Sequence, residues 1–213
     1  MSKNARERAK EAKLLSYREA ILEAAQSCFA DAGIRETKME ALATATGVSL
    51  ATVYSAFPGG KPEIVAALHA SRLEPIVRCA ITAAASAGPP TERLENAIRA
   101  AIEVQVDQSS YTQMQLREGF AWNLGDAIHE SVPGGRAFFE EGLEALSKII
   151  SEGVAAGVMQ SSDPRRTGRT IGMLQQVHLA DWVGQGRRAS AGDVFEGVWE
   201  DIRRLLLIAT DGA

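Results

Sequence analysis

Ala43-Thr44-Ala45-Thr46-Gly47-Val48-Ser49-Leu50-Ala51-Thr52-Val53 is the stretch that decides the fold. A small residue, a glycine and two valines stand at the spacing A-x3-G-V-x4-V, which suits two short helices crossing steeply through a turn of three or four residues. Ala43 lets the second helix approach. Gly47 can take the left-handed backbone that ends the first helix without a steric penalty. Val48 and Val53 fill the wedge between the helices, and Ser49 caps the second one. The pattern is a helix-turn-helix. Its second helix presents Leu50, Ala51, Thr52, Ser55 and Ala56, small enough to come close to base edges and thymine methyls.

Upstream of this stretch, Ser16-Tyr17-Arg18-Glu19 and Thr37-Lys38-Met39-Glu40 both have the S/T-x-x-E form of a capping box, so helices are expected to begin there. Residues 1–15 are polar and charged and are expected to be a basic flexible arm, with a frayed helix as the alternative. Downstream, Pro58-Gly59-Gly60 breaks the chain and a long helix follows from about Lys61-Pro62-Glu63, with Pro62 in the first turn and Pro75 inside. Later breaks at Gly88-Pro89-Pro90, Val132-Pro133-Gly134-Gly135, Asp163-Pro164 and Gly184-Gln185-Gly186 leave helices near 91–108, 111–126, 134–156, 163–185 and 191–210. No segment alternates β-branched and polar residues in the manner of a strand. The chain therefore reads as all-α. The expected organisation is an arm over 1–15, a three-helix DNA-binding domain over 16–62, and a larger ligand-binding and dimerisation domain over 63–213.

Composition agrees. The 213 residues are 46% hydrophobic and 23% charged, ordinary for a globular chain. No apolar run is long enough for a membrane span, no secretory leader is visible, and Cys28 and Cys79 lack a metal or disulfide spacing, so a reducing cytoplasm is expected. The net charge is −4, which speaks against indiscriminate nucleic-acid binding. Its distribution is uneven: residues 1–72 carry ten basic and eight acidic side chains, residues 73–213 thirteen and nineteen. A mildly basic head on an acidic body suits a small nucleic-acid-reading module attached to a domain with another task.

The helix-turn-helix together with Thr52-Val53-Tyr54, Phe57 and Lys61 resembles the TetR family of bacterial transcriptional regulators over residues 16–70. The resemblance implies a ligand-responsive repressor that binds a palindromic double-stranded DNA operator as a homodimer. It implies phosphate contacts from Thr37, Tyr54 and Lys61, with Lys38 beside them. It places Ser49, Leu50, Ala51 and Thr52 in or at the edge of the major groove, and the dimer seam on the last two helices, where Val198, Ile202 and Leu205 form a stripe. That stripe could equally face the core of its own subunit. The chain departs from the family at Ser55-Ala56, at Pro62 and in a linker one residue longer than the commonest form.

Aromatic, sulfur-bearing and sparse polar residues suggest a pocket for an unknown small-molecule effector. Gln113, Phe120, Trp122 and Asn123 stand on one helical segment, and Leu174, His178 and Trp182 on another. The same residues suit a packed core equally well, and Asp181 either adds a polar contact or marks the edge of its face. No catalytic constellation, phosphate-binding loop, metal spacing or cofactor motif is present, so no enzyme activity and no cofactor are expected. Gly59-Gly60-Lys61 in particular lacks a preceding strand and has Pro62 where a Ser or Thr is needed. The competing reading is a helical ligand-binding or interaction protein without DNA binding.

Overall fold

The computed structural model describes residues 2–117 and 135–207, which form nine α-helices and no strand beyond a single bridge between Met159 and Leu207. In order these are α1 (Ser2–Ala32), α2 (Met39–Thr46), α3 (Leu50–Ala56), α4 (Gly60–Ala84), α5 (Pro90–Asp107), α6 (Ser109–Arg117), α7 (Gly135–Ala155), α8 (Pro164–Gly184) and α9 (Ala191–Leu206). The chain divides into two compact units, Met1–His69 and Ala70–Ala213, with α4 running through the division. The division falls beyond residue 62 because Ile64 and Leu68, on the first turns of α4, are buried with no exposure at all.

In the first unit, Ile21, Leu22, Ala25 and Phe29 of α1 meet Leu42 and Ala43 of α2 and Val53 of α3, all buried. α1 begins at Ser2, so residues 2–15 are helical and continuous with the rest of α1, as the alternative reading had it. Ser16 and Glu19 therefore lie inside the helix, where no orphan N–H awaits a cap. α2 likewise starts without a capping box. Its N-cap is Lys38, with no side-chain cap, and the Thr37 hydroxyl turns back to the Gly33 carbonyl at 2.7 Å and the Cys28 carbonyl at 3.2 Å.

In the second unit the core is built on α9, whose Val194, Phe195, Val198, Trp199, Ile202 and Leu206 are all buried. Phe195 and Trp199 stack at 6.2 Å, and the Arg99 guanidinium lies 3.7 Å over the Phe195 ring. α9 opens with a complete capping box between Ser190 and Asp193. Arg93 of α5 donates to the Ala84 carbonyl at 2.9 Å, placing a cation at the C-terminal end of α4. Of the stripe on α9, Val198 and Ile202 face the core of their own unit, whereas Leu205 is 62% exposed.

His69 is the buried ionisable group of the first unit, at 3% exposure, and burial pushes its pKa down to about 4. The unfolded chain takes up a proton below about pH 6.5 that the folded chain refuses until about pH 4. Stability from this residue is therefore complete above pH 6.5 and lost as pH falls through the window. By pH 4 the loss should reach about 3 kcal/mol. Urea unfolding between about pH 7 and about pH 4.5 should show that decline, and His69→Leu should flatten it.

Candidate DNA-binding surface and ligand cavity

The turn between α2 and α3 is closed by backbone alone. Gly47 sits at φ 67° and ψ 22°, and the Val48 N–H donates to the Ala43 carbonyl at 3.1 Å across it. A Cβ at Gly47 would meet nothing within 4 Å, so glycine is required there by the left-handed backbone and not by crowding. Ser49 then caps α3, accepting the Thr52 N–H at 3.1 Å, while the two hydroxyls share a 2.8 Å hydrogen bond.

Two cations hold this frame from outside. The Lys61 ammonium donates to the carbonyls of Ile34 at 2.7 Å, Arg35 at 2.9 Å and Thr37 at 3.0 Å. An ammonium has three N–H donors, and all three are engaged by the loop that leads into α2. Arg18 of α1 donates to the Ala56 carbonyl at the end of α3, pairs with Glu63 at 3.3 Å and lies 4.1 Å over the Phe57 ring. Neither role was visible in the sequence, since spacing along the chain says nothing about carbonyls 24 to 38 residues away.

The residues implied for DNA contact thus fall into two groups. Ser49, Ala51 and Tyr54 are exposed on or beside α3, Leu50 and Thr52 are half-buried, and Lys38 is exposed at the start of α2. Tyr54 is 46% exposed, and its hydroxyl has no hydrogen-bond partner among the described residues. Thr37 and Lys61 differ. The Thr37 hydroxyl is buried and donates inward, and Lys61 grips backbone, so in the isolated chain both tie the loop before α2 to its neighbours.

The second unit holds a cavity of about 180 Å³. One wall is the face of α4 carrying Leu73, Ile76, Val77, Ala80, Ile81 and Ala84, at helical spacing. α7 adds Phe139, Gly142, Leu143 and Leu146, and α8 adds Gly168, Arg169, Gly172, Gln175 and Gln176. Ala101 and Gln105 of α5 and Gln115 of α6 complete it. The wall is mostly aliphatic, with four carboxamides set in it. Gln105, Gln115 and Gln175 are buried, and the Gln175 amide nitrogen has no hydrogen-bond partner among the described residues.

The pocket residues read from sequence lie elsewhere. Phe120, Trp122 and Asn123 fall outside the described residues. Gln113 is half-buried on α6, off the wall of the large cavity. Leu174 lines a second cavity of about 170 Å³ with Ile171, Ile202 and Leu206. His178 Nε2 meets Asp201 Oδ2 at 3.0 Å, close against Gly197, where a Cβ would stand 3.1 Å from Nδ1. Trp182 is buried in the core and donates through Nε1 to the Ala189 carbonyl at 3.0 Å. Asp181 is exposed. The signal that finds the larger cavity is the spacing of Gly168, Gly172, Gln175 and Gln176 on one face of α8, away from Leu174, which lines the second cavity.

Residues 21–68 match the family described as bacterial regulatory proteins, tetR family. No curated protein matches the chain. Among solved structures, the TetR family transcriptional regulator PfmR from Thermus thermophilus is 24% identical, with 87% of this chain and 97% of that one covered and a TM-score of 0.71. The ketosteroid transcriptional regulator KstR2 of Mycobacterium tuberculosis is 19% identical over 90% and 95%, with a TM-score of 0.76. The regulator FadR from Bacillus subtilis, solved in complex with stearoyl-CoA, is 16% identical over 85% and 95%, with a TM-score of 0.67.

Two substitutions separate positioning from contact. Lys61→Met should lower unfolding stability by about 1–2 kcal/mol, because three carbonyls lose a charged donor and two of these bonds are partly buried. Tyr54→Phe should leave stability within about 0.5 kcal/mol. In fluorescence anisotropy it should weaken binding to every DNA duplex alike. An unchanged melting temperature for Lys61→Met would remove the clamp from the account.

Proposed function

On the premise that residues 21–68 are a tetR-family helix-turn-helix domain, we propose that the chain is a ligand-responsive transcriptional regulator of the bacterial cytoplasm, acting as a repressor released from a palindromic operator by a small-molecule effector. The observation that carries the reading is the outer face of α3. Ala51, Tyr54 and Ser55 are exposed on a short helix whose angle is set by Gly47 and whose ends are held by Ser49 and Arg18. A second unit with its own core holds a partly open cavity suited to a small molecule. That the similarly folded Bacillus subtilis FadR was solved with stearoyl-CoA supports an effector role for such a unit.

Two copies are needed to read a palindrome. A two-fold dimer presents its recognition helices about 34–36 Å apart, or a multiple of one DNA turn. The seam is assigned to the outward faces of α8 and α9, where Val177 is 47% and Leu205 62% exposed. Tyr54 and Lys38 meet phosphate, Thr52 and Ala51 face base edges, and Lys61 and Thr37 act mainly by holding the loop ahead of α2. The effector favours a conformer with a different separation of the two α3 helices, which requires it to bind the two conformers unequally. α4 is the covalent path, since its first turns lie in one unit and its later turns line the cavity in the other.

One observation favours the competing reading of a ligand-binding protein without DNA affinity: the Lys61 donors are all engaged internally, on a chain of net charge −4. A salt titration decides between them. Binding to promoter DNA should fall as a power of salt concentration, with a slope of about −0.9 for each phosphate neutralised. The absence of any salt-dependent binding would leave the competing reading standing. In light scattering the chain should run at twice 22.8 kDa, and Leu205→Glu with Val177→Glu should halve that mass and abolish operator binding.

A further inference from the structure

From Glu7 to Ser16 every residue of α1 is exposed, so this part of the helix stands clear of the core of the first unit. Its charges are sorted by side. Lys3, Arg6, Lys10, Lys13 and Tyr17 recur at intervals of three and four residues and share one side of the helix. Glu7 and Glu11 fall on the next side, in line with Leu14 and Arg18, and Ala5, Ala9 and Ala12 on a third. The cations of the stripe are not neutralised within the helix. Lys13 has no carboxylate three or four residues away in either direction, and Lys10 makes no ion pair with Glu7 among the described residues. Later helices differ: Arg78 pairs with Glu74 at 2.9 Å, Arg99 with Glu95 at 3.0 Å and Arg204 with Glu200 at 2.9 Å. Lys13 lies 5.6 Å over the Tyr17 ring, a contact that keeps its side chain on the stripe.

The stripe ends next to the candidate recognition helix. Arg18, the residue after Tyr17, donates to the Ala56 carbonyl at the end of α3 and lies 4.1 Å over the Phe57 ring. Along the helix axis Lys13 and Lys10 stand about 8 and about 12 Å from Arg18, and Lys3 about 22 Å. A duplex carries one negative charge per about 1.7 Å of its axis, so a row of cations of this length meets a row of phosphates. We propose that the exposed part of α1 is a second DNA contact. Lys10 and Lys13, with Lys3 and Arg6 in the same register, lie along the phosphates of double-stranded DNA flanking the segment met by α3. This rests on the reading of the first unit as a DNA-binding domain and adds to it a grip outside the helix-turn-helix. Lysine meets phosphate as a point charge on a flexible stem, so the grip is independent of sequence. It also supplies attraction that Lys61, engaged by three carbonyls, does not offer on a chain of net charge −4. A lipid surface suits this helix less well. Apart from Leu14 and Leu15 near its root, residues 7–16 expose only alanines as apolar side chains, too little to enter a bilayer.

The test uses the full-length protein and a fluorescein-labelled duplex of about 30 base pairs of arbitrary sequence, titrated by anisotropy between about 50 and about 200 mM salt. Lys10→Gln with Lys13→Gln should lower affinity about tenfold at the low-salt end. The slope of log affinity against log salt should become shallower by about 2, roughly 0.9 for each phosphate no longer neutralised. Adding Lys3→Gln and Arg6→Gln should flatten the slope further. Melting temperature and helicity should stay those of the natural chain in the double variant, because both side chains are exposed and glutamine is a good helix former. An affinity and slope unchanged in the four-site variant overturn the proposal and leave the regulator reading in place, since the natural chain still binds DNA. A natural chain that binds no duplex overturns both. Phosphatidylglycerol vesicles that sediment the natural chain and not the four-site variant, with equal duplex affinity in the two, would assign the stripe to a membrane and overturn the proposal.

Discussion

A left-handed residue between two short helices is the constraint on which the first unit depends. With Gly47 at φ 67°, the Val48 N–H reaches back to the Ala43 carbonyl and α3 leaves at an angle that buries Val53 completely. An alanine would meet no atom there, yet the backbone conformation itself would cost about 1–2 kcal/mol. That is a sizeable part of the net stability of a small unit. The exposed face of α3 follows from the same angle. Once Val53 and Ala56 point inward, Ala51, Tyr54 and Ser55 point out.

Charge in this unit holds the fold before any ligand is met. Arg18 and Lys61 both look like surface cations available to an anion, and both donate to carbonyls at the ends of helices or in the loop before α2. A cation near a phosphate backbone can serve both ends. Each donor moved to a phosphate, however, leaves a carbonyl to water. Because the Lys61 bonds to Ile34 and Thr37 are partly buried, the exchange is unfavourable enough to make the clamp the resting state. On the reading proposed above, docking then falls to exposed groups such as the Tyr54 side chain, 46% exposed on α3.

The helix-turn-helix was legible because its determinants are local: a glycine, a cap and two wedge valines within eleven residues set the geometry of those same residues. The ends of α5, α7 and α8 were legible for the same reason, since prolines and glycines stop helices where they stand. The start of α1 was missed because an S-x-x-E signature reads as a cap only if the residues before it leave the helix, and here they do not. The cavity was missed for a different reason. Aromatic and polar residue types on α8 drew attention to Leu174, His178 and Trp182, which meet the second cavity, Asp201 of α9 and the core, while the larger cavity is lined from α8 mostly by glycines and glutamines that carry little compositional signal.

The free energy that a small effector can supply limits how it could switch the molecule. Moving a two-state equilibrium from about 1:99 to about 99:1 takes about 5.5 kcal/mol of differential binding. A ligand of roughly ten heavy atoms has a total binding free energy of a similar order, given a ceiling near about 1.5 kcal/mol per atom for the smallest ligands and about 0.3 for large ones. On the reading proposed above, a small effector must therefore bind the two conformers with affinities that differ by a sizeable share of its total. The helices of the wall approach closely at glycine: a Cβ at Gly142 of α7 would stand 3.2 Å from Val77 of α4, and one at Gly168 of α8 would stand 3.1 Å from Leu143 of α7. Helices that already touch through glycine can slide a short way without side chains having to unlock. α4, which carries Val77, is also the helix that continues into the unit bearing α3. The glycines at 142 and 168 thus set how closely α4, α7 and α8 approach one another around the cavity.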